Sequence, residues 1–205
     1  MAVRALPAEL IHRSALLLLP ACVRLHRRMI ETPRGLLAVA DIAAARGASG
    51  GRLSAINVGL GDLSRGLNAF TRPAANRWPV VPALATIVLA ARAHGLAAID
   101  SSFRDDKSSA ESLSAACTAS RELGFDGKVF DNPALTDVVN AAYSPAAEDL
   151  AWAHRVAAAK ASAPPNGLYF VDGAHCDMAY EALADRILWF EQAMQARSQA
   201  PTSRL

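Results

Sequence analysis

From Met29 onward the chain alternates short apolar runs with longer stretches whose apolar residues recur at helical spacing, a pattern of repeated strand–helix units around a parallel sheet. Residues 29–32 read as a first strand and 37–45 as its helix, rich in Ala and Leu and stopped at Arg46-Gly47. Residues 47–51 form a loop, 53–58 a second strand, and the stretch 68–79 crosses the rim above the strands. A strongly apolar helix over 82–94 ends at Gly95, and 96–100 is a third strand with Asp100 at its carboxyl end. A helix over 109–123 stops at Gly124, 127–130 is a fourth strand, and 133–142 a short helix.

Beyond Tyr143 the pattern changes. Ser144-Pro145 offers a hydroxyl N-cap and a proline at the first helical position, with Glu148-Asp149 in the acidic first turn. Pro164-Pro165-Asn166-Gly167 breaks that helix, 168–171 is a short strand, and 178–196 is a closing helix. The chain therefore divides into a basic segment, 1–28, four strand–helix units, 29–143, and an appendage, 144–205. A complete eightfold barrel takes about 250 residues, so the expected class is α/β: a partial TIM (β/α)8-type barrel of about four units with a C-terminal helical appendage.

In a parallel barrel, catalytic groups gather at the carboxyl ends of the strands. Two segments put carboxylates there: Met29-Ile30-Glu31-Thr32-Pro33-Arg34-Gly35 and Gly59-Leu60-Gly61-Asp62-Leu63. Neighbouring strands run about 4.8 Å apart, so Glu31 and Asp62 can converge on one ion. Such a pair suits Mg2+, which takes one or two carboxylates and completes its octahedron with water and substrate oxygens. Taken singly, each residue is more commonly a solvated loop residue or a helix cap than a ligand. Asp100 makes a third rim carboxylate.

Composition removes several other classes. With 52% hydrophobic and 20% charged residues the 205-residue chain has the make-up of a globular protein with one substantial core. A formal charge of +2, with no basic stripe interleaved with aromatics, gives no footprint for nucleic acid. No apolar run reaches the roughly 18–20 residues of a spanning helix, so no membrane association is expected. Cys22, Cys117 and Cys176 are odd in number and lack zinc-ligand spacing, which fits a reducing, cytoplasmic setting. Residues 1–28 carry five Arg and one acid, Glu9, so a mitochondrial presequence is the alternative. His12, His26, His94 and His154 are scattered and read as surface or helix-face residues.

Five motifs in order point to a family. The two carboxylate segments, Ala97-Ala98-Ile99-Asp100, Leu123-Gly124-Phe125-Asp126-Gly127-Lys128 and Asn140-Ala141-Ala142-Tyr143-Ser144-Pro145 together resemble the citrate lyase beta subunit-like proteins, related to malyl-CoA lyases and the HpcH/HpaI aldolases. The resemblance covers residues 29 to about 188. It implies a magnesium-dependent carbon–carbon lyase, or the reverse condensation, acting through enolate chemistry on an acyl-CoA thioester and a 2-oxo acid. It makes Glu31 and Asp62 the metal ligands, with Glu31 also against substrate, and the protein a homo-oligomer, trimeric or hexameric. Within Val171-Asp172-Gly173-Ala174-His175-Cys176-Asp177-Met178, Asp177 matches the family's acid/base on the appendage; a plain helix cap is the competing reading. His175 and Cys176 replace an apolar pair there. By the same resemblance Asp100 positions the rim loops and Lys128 approaches CoA phosphates, while Asp131-Asn132-Pro133 stands where relatives have His-Pro.

The family's opening strands and their substrate-facing Arg have no counterpart in residues 1–28, where His26-Arg27-Arg28 departs from the continuous apolar run of a strand buried on both faces. Two further expectations follow. One is a catalytically inactive, truncated remnant that packs against a complete paralogue; the other is a CoA-independent 2-oxo acid aldolase, which the appendage with Asp177 disfavours.

Overall fold

The structure is a computed structural model that describes residues 26–69, 77–101, 109–164 and 168–199. Most of the basic segment 1–28, the middle of the rim stretch 68–79 and the break at Pro165-Asn166-Gly167 lie outside the described residues. The chain divides into two compact units, Met1–Tyr143 and Ser144–Leu205.

The first unit is a four-stranded parallel sheet in the order β1-β2-β3-β4: β1 (His26–Ile30), β2 (Leu53–Val58), β3 (Ala97–Asp100) and β4 (Gly127–Lys128). Helices α1 (Pro33–Leu37) and α2 (Val39–Ala48) follow β1, α3 (Leu60–Gly66) follows β2, α4 (Val81–Ala93) leads into β3, and α5 (Ala110–Glu122) into β4. α6 (Thr136–Tyr143) closes the unit. This is the predicted partial barrel. Register sorts the strand residues onto two faces. Ile30, Val58, Ile56 and Ala98 lie on the helix side, where they join Leu84, Ile87 and Leu63 in the main core. Ala55, Asn57, Ala97 and Ile99 lie on the opposite face, the inner face of a barrel, where Ala55, Ala97, Ile99 and Val129 form a small apolar cluster.

Several boundaries differ from expectation, three of them informatively. β1 starts at His26, so His26-Arg27-Arg28 belongs to the strand. Continuous apolarity is required only of a strand covered on both faces, and among the described residues β1 is an edge strand with His26, Arg28 and Met29 exposed. Its exposure accordingly leaves only Ile30 buried. Gly47 does not stop α2, which runs to Ala48; the chain turns at Gly50 (φ 63°) and Gly51 (φ 78°), whose left-handed backbone suits glycine. In the appendage α7 (Ala147–Ser162) starts later than Ser144-Pro145 suggested, with extended Ala146 at its N-cap and the Asp149 carboxylate accepting from Ala146 N at 3.2 Å. The capping chemistry sits three residues inside the helix instead of on the cap itself.

The second unit packs α7 against α8 (Met178–Gln199), with a two-stranded antiparallel ribbon, β5 (Phe170–Val171) and β6 (Ala174–His175), between them in sequence. Ala153, Val156, Val171, Cys176, Ala184 and Ile187 form its core. None of the described helices is long and apolar enough to cross a membrane.

Candidate metal centre

The two carboxylate segments are held side by side by three contacts. The Gly59 N–H, just past β2, donates to Ile30 O at 2.9 Å, which extends the β1–β2 ladder to the residue before Glu31. A Cβ placed on Gly59 would lie 2.5 Å from Glu31 Cβ, 2.9 Å from Glu31 Oε2 and 3.2 Å from Met29 Sδ. The missing side chain is therefore the space through which Glu31 passes. One turn beyond Asp62, a Cβ on Gly66 would meet Pro33 Cδ at 2.7 Å, so α3 rests directly on the first residue of α1. Thr32 Oγ1 accepts from Gly35 N at 3.0 Å and caps that helix, with Pro33 in the proline-tolerant first position.

Glu31 is half-buried on the inner face, on the side of Met29 and Asn57. Asp62 stands in the first turn of α3, where an acid also suits the helix dipole. It pairs with Arg65 at 2.8 Å, and both side chains are more than half exposed. An exposed pair of this kind contributes roughly 0–1 kcal/mol, so Arg65 does not lock the carboxylate away from a cation. Two carboxylates on adjacent strand ends, one shielded and one open to water, are a donor set that fits Mg2+. Among the described residues no group of three or more His, Cys, Asp and Glu is placed to hold a metal.

Asp100 is not part of it. Alternation along β3 turns it to the face of Ala98, toward the helices, where it is fully buried. Arg77 grips it in bidentate fashion, Nη1 to Oδ2 at 2.8 Å and Nη2 to Oδ1 at 2.6 Å, and Lys128 Nζ donates to Oδ2 at 2.7 Å. Burial alone would raise this carboxyl, but the Lys128 and Arg77 charges outweigh it and hold it below its ordinary value. Asp100 thus ends β3 as expected, but it faces away from the side of Glu31 and holds Arg77, in keeping with the positioning role the resemblance implies. The expectation that Lys128 reaches CoA phosphates is corrected, because its side chain is 3% exposed and its ammonium is spent on Asp100. Beside this cluster Tyr143 donates to Ser120 Oγ at 2.8 Å, burial pushes its phenol upward, and burial pushes the Cys117 thiol up to about 11.

In the other unit Asp177 caps α8: its Oδ1 accepts from Ala179 N at 2.9 Å and from Tyr180 N at 3.2 Å. The exposed His175 ring lies 5.6 Å from that of Phe170, and Cys176 is buried in the unit's core. At the corner after β4, Asn132 Oδ1 accepts from Ala134 N and caps a short 3-10 turn.

Residues 27–133 match the HpcH/HpaI aldolase/citrate lyase family, and the chain belongs to it. It is 37% identical over 150 residues to a (3S)-malyl-CoA thioesterase of Cereibacter sphaeroides, spanning 71% of this chain and 49% of that protein. It is 32% identical over 139 residues to citrate lyase subunit beta of Escherichia coli, spanning 68% of this chain and 44% of the relative. The fold superposes on CitE from Mycobacterium tuberculosis, solved with magnesium, acetoacetate and coenzyme A, at a TM-score of 0.67 and 32% identity, covering 80% of this chain and 60% of that one. The chain thus spans about half the length of the curated relatives it matches.

Proposed function

We propose that this chain supplies the metal-binding half of a magnesium-dependent carbon–carbon lyase that acts on a hydroxyacyl-CoA or citryl-type thioester. The observation that carries the reading is the clamp of Gly59 on Glu31 and of Gly66 on Pro33, which fixes the Glu31 and Asp62 segments beside one another at the carboxyl ends of β1 and β2. Glu31 and Asp62 hold the ion, and Glu31 borders the substrate. A bound magnesium ion supplies a positive centre that polarises the oxygens of a 2-oxo or 2-hydroxy acid. Support comes from relatives described as a malyl-CoA thioesterase and a citrate lyase subunit, and from a neighbour solved with magnesium, acetoacetate and coenzyme A. Asp177 is the proposed acid/base group, with Oδ1 oriented by the α8 amides it caps. Family likeness favours a homo-oligomer.

One observation favours a second reading. Among the described residues the sheet ends in an unpaired edge at β1 and at β4, so strands from elsewhere have two places to add. In that reading activity requires pairing with a complete paralogue. The test is turnover of malyl-CoA to acetyl-CoA and glyoxylate by the purified full chain, alone and with a full-length relative whose own aspartate ligand is mutated. Magnesium-dependent turnover by the chain alone that disappears in Asp62→Ala supports the first reading. Turnover only in the mixture supports the second, and none in either arm contradicts both.

A further inference from the structure

Asn57 is an amide buried on the inner face of the sheet. It sits on β2 between the registered neighbours Met29 and Ile99, with Ala55 two residues before it on the same face. Met29, Ile99 and Ala55 are apolar, Arg27 registers with Ala55 on the same face, and Asn57 is 7% exposed. Its Oδ1 has no hydrogen-bond partner. Burying an acceptor without a donor forfeits the hydration of that oxygen, and an aliphatic side chain of similar size avoids the loss. Three buried side-chain atoms among the described residues share this condition: Asn57 Oδ1, Ser64 Oγ and Arg77 Nε. Asn57 is the one on a strand, and its face carries Met29 and Glu31. It lies two residues below Gly59, about 6.6 Å along the strand from the position that Glu31 crosses.

From this placement we infer that Asn57 is a positioning residue of the Glu31–Asp62 centre, its Oδ1 accepting a hydrogen bond from an O–H group that arrives with the ligand. The inference rests on the metal reading above and names a further group for that site. The O–H chemistry has two sources: water carried in with the cation, or the 2-hydroxyl of a hydroxy acid. An oxygen acceptor at the floor of the site holds either one in a fixed direction, as groups behind a metal's direct ligands do.

The test is Mn2+ binding to the full chain, followed by electron paramagnetic resonance and calorimetry, for wild type, Asn57→Leu and Asn57→Ala, each alone and with L-malate or pyruvate. Circular dichroism and urea unfolding accompany every titration. Asn57→Leu is expected to fold with unchanged or raised stability, because the unpartnered oxygen is gone, yet to bind ligand five- to twentyfold more weakly. If the loss is in Mn2+ alone, the donor is water; if Mn2+ affinity is kept and only L-malate weakens while pyruvate does not, the donor is the hydroxyl. Asn57→Ala serves where the larger side chain disturbs folding, and the same loss is expected. Folded variants with wild-type affinities for Mn2+ and L-malate overturn the inference and leave the metal centre standing. Wild-type protein that binds no Mn2+ overturns both.

Discussion

At the scale of single residues, two glycines explain how the candidate centre is assembled. Gly59 has an ordinary φ of −100°, so its role is space and not backbone freedom. Gly59→Ala would force Cβ to within 2.5 Å of Glu31 Cβ. Overpacking of this kind costs about 1–3 kcal/mol. We expect that loss in urea unfolding, together with weaker Mg2+ binding in calorimetry, since relief of the clash requires Glu31 to move. Asp100 makes a different prediction. Removing its charge in Asp100→Asn leaves buried Arg77 and Lys128 without their carboxylate, a change of about 3–5 kcal/mol. Because its folded-state value is depressed, the stability it contributes is full above the unfolded carboxyl value, about 3.9, and lost as pH falls through the lower folded value. Urea midpoints measured from pH 7 down to pH 2 should show that acid loss in wild type and lack this component in Asp100→Asn.

At the scale of elements, the candidate centre was legible where its chemistry is local and hidden where it is not. Glu31 and Asp62 stand in short segments with their own glycines, so strand end, turn and carboxylate read as a unit. The direction in which Asp100 points depends on register with β2 and β4, and its partner Arg77 lies 23 residues away in a polar stretch, so neither is visible in periodicity. Asn57 is invisible for the same reason: an amide inside an apolar run signals nothing until the face it occupies is known. The start of β1 was obscured by basic residues that an edge position tolerates. Helix ends were mostly legible, as Ser109, which accepts from Ser112 N, shows for α5. Asp177 can now be tested at this scale. Asn is as good an N-cap as Asp, so Asp177→Asn should leave thermal stability nearly unchanged while Asp177→Ala costs about 1 kcal/mol. An acid/base role predicts lost turnover in both variants; turnover retained in Asp177→Asn would reduce this residue to a cap.

At the scale of the whole molecule, the described residues hold four parallel strands with their helices and, as a separate unit, a helical appendage, in a chain of the HpcH/HpaI aldolase/citrate lyase family. Alternation of apolar runs was enough to count those strands, because each is bounded by a glycine or a capped helix. We propose that β1 and β2 alone bring Glu31 and Asp62 close enough to share an ion. Calorimetric titration of the full chain with Mg2+, in wild type and Asp62→Ala, with and without glyoxylate, tests it most directly. Saturable binding that requires Asp62 and tightens with glyoxylate is expected. Folded wild-type protein that shows no Mg2+ binding, or binding indifferent to Asp62, would contradict it.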